Sequence, residues 1–221
     1  MKLAYYINVL IILYLTSVNI NAQIFIEKDL EEGVTYIVNF IISEKYDSLS
    51  QINSDLDLLD TLYLRALHFH YHNIDDALLT LTFATLAFNE MPLHFPFTNF
   101  QLGAKLPSGP DGTLHEKIKK IPKQIFIDSP QSNFGDKDKV AHFFGNAFLS
   151  NSVTIFNLSK FLSILVELFE DAFKVEGTID NRDFVANFLG YHFGKHVSID
   201  EKYLPSQSLR IYTFFKLNYC Y

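Results

Sequence analysis

The sequence predicts a mainly α-helical bundle, and three observations carry that prediction. Leu56, Leu59, Leu62, Tyr63, Ala66 and Leu67 recur at three- and four-residue steps, the period of an amphipathic helix. Polar groups recur at the same spacing inside apolar sequence further on, first as Asp138, Lys139 and His142, then as Asp183, Asn187, Gly190 and Gly194. At 221 residues, 48% hydrophobic and 19% charged, the chain is large and apolar enough to bury a core around such helices.

The elements follow in order. Leu3 to Thr16 is an apolar run after Lys2, broken only by Asn8, and Ser17 to Ala22 completes the pattern of a signal peptide cleaved after Ala22. An uncleaved N-terminal anchor is the alternative, although the run is short for a membrane span. Residues 23–137 then hold a helical hairpin and a Pro/Gly-rich connection. The hairpin extends from about Asp47 to Glu90, with Asn73 as the cap of a second helix over Ile74 to Asn89 that Pro92 and Pro96 end. Leu93 to Lys137 contains five prolines and four glycines, too many for long helices, yet Phe95, Phe97, Phe100, Ile125 and Phe126 are wrong for a floppy linker. An ordered loop wrapped over the helices is expected.

Residues 138–196 read as three helices. The first is capped by Asp136 or Asp138 and runs to about Asn151, the second covers about Thr154 to Phe173, and the third starts after Asp180 and ends near Gly194, with Gly177 breaking the chain between the last two. The tail, 197–221, is rich in aromatic and β-favouring residues from Leu209 onward and is expected as a short strand or irregular chain.

Composition excludes several function classes. The formal net charge is −7 and no Lys/Arg stripe is interleaved with aromatics, so a nucleic-acid partner is not expected. The single cysteine, Cys220, forms no internal disulfide and no Cys-based zinc site. Phosphate-binding glycine loops, the G-x-S-x-G elbow and H-E-x-x-H are absent, and no local pattern selects a serine nucleophile.

What remains is a polar centre in the C-terminal part. One stripe per helix, Asp138/Lys139/His142, Glu167/Glu170/Asp171 and Asp183/Asn187/Gly190/Gly194, can converge, and the glycines would let a neighbouring helix approach closely. Read as chemistry, His142 is a general base or metal ligand, Glu167, Glu170 or Asp183 its carboxylate partner, and Lys139 or Arg182 the group for an anion. Read as architecture, Lys139 and Arg182 pair with the acids while His142 and Asn187 satisfy buried polar groups. Of the scattered histidines, His94, His115, His192 and His196, His192 is the best addition to this centre. A second candidate is His68, His70 and His72, which would face one way on a strand and bind a divalent metal such as zinc, with Asp75 and Asp76 nearby.

The block Asp138-Lys139-x-x-His142-Phe143, followed by Glu167 or Glu170 and by Arg182-Asp183-x-x-x-Asn187-x-x-Gly190-x-x-x-Gly194, resembles the VanZ-like family and the related YfiM-like lipoproteins of bacterial envelopes. The match spans Asp138 to Gly194. It implies an α-helical, envelope-located domain without a securely assigned activity; the glycopeptide-resistance phenotype of VanZ-like members, particularly towards teicoplanin, does not transfer. The chain departs from the membrane-spanning members because Lys160, Glu167, Glu170 and Asp171 interrupt its second helix, and from the lipoproteins because it lacks the signal-proximal cysteine expected of them.

Three functional expectations result. The first is an exported bacterial envelope protein, periplasmic or associated with the membrane surface or another envelope component, whose polar centre fixes helix packing. The second is a hydrolase or transferase acting on a lipid-linked or cell-wall substrate through His142 and an acidic partner. The third is divalent-metal binding through His68, His70 and His72.

Overall fold

The computed structural model describes residues 29–94, 101–152 and 181–219. The signal segment, the second C-terminal helix with Glu167, Glu170 and Asp171, and the break at Gly177 all lie outside them. The described chain is mainly helical, as the periodicity predicts.

Helix α1 spans 29–41 and lies ahead of the segments predicted to be helical. Its Val34, Ile37, Val38 and Ile41 recur at helical spacing and are fully buried. After α2 (Glu44–Ser50), Ser54 opens α3 (Asp55–Phe69) with a capping box, its hydroxyl accepting from Asp57 N–H while the Asp57 carboxylate takes Ser54 N–H. Asn73 caps α4 (Ile74–Thr85) as predicted, accepting from Asp76 N–H. That helix stops four residues before the predicted Asn89. Thr82 and Thr85 turn their hydroxyls back onto the carbonyls of Leu78 and Leu81, and Leu86 is already extended.

The punctuated middle is more structured than a plain loop. Glu90–His94 (β1) and Gln101–Lys105 (β2) form an antiparallel pair in the register Glu90↔Lys105 to His94↔Gln101. Leu114–Lys120 (α5) follows. Lys117 on α5 is fully buried, its Nζ 3.5 Å from the Ser108 carbonyl, and burial pushes its pKa down to about 8. From 121 to 136 the chain wraps as expected: Ile121, Ile125 and Phe126 are buried, and the Asp55 carboxylate fixes the path by accepting from Lys123 N–H and Gln124 N–H at 2.8 and 2.6 Å.

Helices α6 (Lys137–Ser152), α7 (Asn181–Val197) and α8 (Pro205–Tyr219) complete the bundle. The expected C-terminal strand is instead α8. Pro205 suits a first helical turn, Asp60 of α3 accepts from both Ser206 N–H and Ser206 Oγ, and packing against α3 and α7 overrides the β preference of the aromatics. Phe193 of α7 stacks on Phe143 of α6 and meets Tyr63 of α3 edge-on, joining three helices at one point.

Among the described helices the most extensive contact is α6 against α7, and α6 also packs against α4. A Cβ at Gly190 would lie 2.2 Å from the Phe143 carbonyl oxygen, and one at Gly194 would lie 2.1 Å from that of Ala147. Those distances are far inside van der Waals contact, so the two backbones touch where the glycines allow it. Gly190→Ala gains up to about 1 kcal/mol of helix propensity but forces α6 and α7 apart. The overlap should win, with a net loss of at least about 2 kcal/mol in urea unfolding; unchanged or raised stability would refute the close approach.

Candidate functional site

The α6–α7 seam brings together Asp138, Lys139, His142, Arg182, Asp183 and Asn187 of the predicted polar centre. Lys139, in the first turn of α6, is almost wholly buried and meets the Asp138 carboxylate at 2.5 Å and Asp183 of α7 at 2.9 Å. Burial alone would lower the Lys139 pKa, but its bonds to Asp138 and Asp183 outweigh that and raise it, so the ammonium stays charged. Asp183 is itself buried at the start of α7, where the helix dipole favours its negative charge.

One turn further along each helix lie His142 and Asn187. The imidazole Nδ1 is 3.2 Å from Asn187 Oδ1, which also accepts from Asn146 Nδ2 at 2.7 Å. An amide oxygen only accepts, so Nδ1 carries the ring proton. Asn146 returns a second bond to the His142 carbonyl at 3.0 Å. Burial lowers the His142 pKa, with Asp183, the Asn187 bond and Asp138 opposing it; the ring is neutral at pH 7.

Asp136 and Arg182 extend the centre toward the wrapping loop. Neither Asp136 nor Asp138 is the side-chain cap expected for α6: the Asp136 backbone carbonyl takes Lys139 N–H, its carboxylate accepts from Ser129 Oγ and faces Arg182 Nε at 3.2 Å, and the Asp138 carboxylate is drawn to Lys139. Burial raises the Asp136 pKa against the pull of Ser129 and Arg182. Arg182 Nη1 also reaches the Asp128 carbonyl at 3.5 Å, while the Asp128 carboxylate takes Tyr212 Oη and Lys216 Nζ of α8. Asp128, Ser129 and Asn146 were not among the expected members. Asn146 was legible, since it follows His142 by one helical turn; Asp128 and Ser129 arrive from the loop, where no period points to them.

His192 does not join this centre. It faces α8, with Nδ1 3.0 Å from Ser208 Oγ. Nor do His68, His70 and His72 gather around one point. His68 is exposed on the last turn of α3, whereas His70 lies against α1 beside Gly33 with Nε2 2.7 Å from Thr80 Oγ1. His72 has a φ of 68° beyond the helix end and turns to Glu201 at 3.2 Å. The acids near them are engaged elsewhere: Asp75 accepts from Asn151 and Ser152, and Asp76 from Asn73. The strand that would align three imidazoles is absent because α3 continues to Phe69. Among the described residues no group of three or more His, Cys, Asp or Glu could hold a metal ion.

No family model, characterised protein or solved structure matches this chain.

The pH dependence of the centre has a defined sign. With its folded pKa below the ordinary value, His142 stays neutral while the unfolded chain takes up the proton, so stability falls as pH drops below about 6.5 and levels off once the folded ring titrates. His142→Gln should flatten that acid limb relative to the parent protein in thermal unfolding between pH 7.5 and 5. An identical limb in both proteins would show that His142 is not buried neutral.

Proposed function

We propose that this is an exported bacterial envelope protein in which the charged α6–α7 centre holds helices together and performs no reaction. The observation that carries the structural role is the sealing of the charges: Lys139, Asp183 and His142 are each at most about 4% exposed and Asp136 is fully buried. A general base or an anion-binding lysine must be reachable by its substrate. The apolar groove between α7 and α8, of about 250 Å³ and lined by Phe184, Phe188, Ile211 and Phe215 among others, contains none of these charged groups. Support for the envelope comes from the N-terminal apolar run ending at Ala22 and from the VanZ-like and YfiM-like pattern of Asp138, His142, Asp183 and Asn187. Among the described residues no helix is long and apolar enough to cross a membrane, and a membrane surface or another envelope component is the partner this reading favours.

Replacing members of the ion set tests the structural role. Asp183→Asn removes one of the two carboxylates that the Lys139 ammonium meets, leaving Asp138, and should cost about 1.5–3 kcal/mol. Combining Asp138→Asn, Lys139→Met and Asp183→Leu removes the charges together and should recover most of that loss, because a buried ion set exchanged for apolar packing is often near neutral. A triple variant no more stable than Asp183→Asn would sink the packing role. So would turnover of a lipid-linked or cell-wall substrate that vanishes in a folded His142→Ala protein.

Export is tested separately by N-terminal sequencing of the protein from fractionated cells. The expected first residue is Gln23, in the envelope fraction. A cytosolic product beginning at Met1 would overturn the envelope reading.

A further inference from the structure

We infer that His192 and His196 form a two-imidazole chelate for Zn²⁺ on the last turn of α7, with Ser208 of α8 orienting His192. The pair stands one helical turn apart, and the ring centroids are 4.2 Å apart with planes tilted by 39°. Two nitrogens bound to one tetrahedral zinc at 2.0–2.1 Å lie about 3.4 Å from each other, a separation that rings this close can reach by small side-chain rotations. His196 is exposed and His192 half-buried, so an ion can approach from solvent.

Bonds behind the rings set the ligand atom. His192 Nδ1 lies 3.0 Å from the buried Ser208 hydroxyl, which is 3.4 Å from Tyr203 Oη. With Nδ1 engaged by Ser208, Nε2 is the nitrogen left for a ligand. An imidazole that donates its second nitrogen to a fixed oxygen is the usual arrangement of a metal-bound histidine, since it holds the ring and raises its basicity. The Tyr203 ring centroid lies 5.0 Å from that of His196 and 6.2 Å from that of His192.

Electrostatics favour a cation here. The pair lies where the carbonyls at the end of α7 concentrate negative potential; the His196 carbonyl itself accepts from Ile199 N–H and Asp200 N–H. No third His, Cys, Asp or Glu completes a closed set among the described residues, so water fills the remaining positions. A Ser208–His192 nucleophile is a poorer use of the same contact, because Ser208 is fully buried.

The test is calorimetric titration of the metal-free full chain with zinc chloride at pH 7.5, and with magnesium chloride for comparison. One zinc per chain should bind and magnesium should not, since imidazole suits zinc and oxygen donors suit magnesium. His196→Ala, at an exposed position, and His192→Ala should each weaken zinc at least about tenfold, and Ser208→Ala should weaken it by about tenfold with the stoichiometry kept. A double His68→Ala, His72→Ala protein should bind as the parent does. The proposal fails if the parent takes up no zinc, if the folded His196→Ala protein binds as tightly as the parent, or if only the His68/His72 variant loses the ion.

Discussion

The close approach of α6 and α7 is the constraint on which the rest of the structure depends. Gly190 and Gly194 let the α7 backbone touch the carbonyls of Phe143 and Ala147. That contact brings Lys139 within 2.9 Å of Asp183 and His142 within 3.2 Å of Asn187. With bulkier residues at the glycine positions the same side chains would face each other across a gap, and the ammonium would be buried without its second carboxylate. Packing and electrostatics are therefore one event here: glycine sets the distance, and the distance makes burial of the charges tolerable.

From this seam the order spreads in two directions. Phe143 and Phe193 carry it to Tyr63 of α3, whose hydroxyl donates to the Glu201 carbonyl ahead of α8. Arg182 carries it to Asp136 and Asp128, and Asp128 passes it to Tyr212 and Lys216 on α8. The wrapping loop is thus a structural member, held at one end by Asp55 and at the other by the charged centre.

How much of this was legible in the sequence follows from periodicity. Asp183, Asn187, Gly190 and Gly194 share a face of α7, and a reading at 3.6 residues per turn finds both that stripe and its partner on α6. The same arithmetic argues against His192 as a member: it follows Gly190 by two residues, about 200° around the helix, and so belongs to the α8 side. Helix α1 is dense in the β-branched residues Val34, Thr35, Ile37, Val38 and Ile41, so propensity conceals a clear three- and four-residue pattern. The C-terminal helix was obscured in a similar way, by aromatics whose β preference yields to contact with α3 and α7. Ser129, Asp128 and Ser208 had no local signal, because their partners come from elements distant in the chain.

Lys117 gives the fold a thin place. Its amine lies in the core with one long bond to the Ser108 carbonyl, and burial is the sole cause of its shifted pKa. At neutral pH the folded protein therefore keeps an ammonium away from water with little to replace its hydration. Any excursion that lifts α5 off the bundle rehydrates that charge and recovers part of the energy of breaking apolar contacts. The buried charge thus works against keeping α5 seated on the bundle, whereas at the α6–α7 seam the buried charges face one another and stabilise the contact.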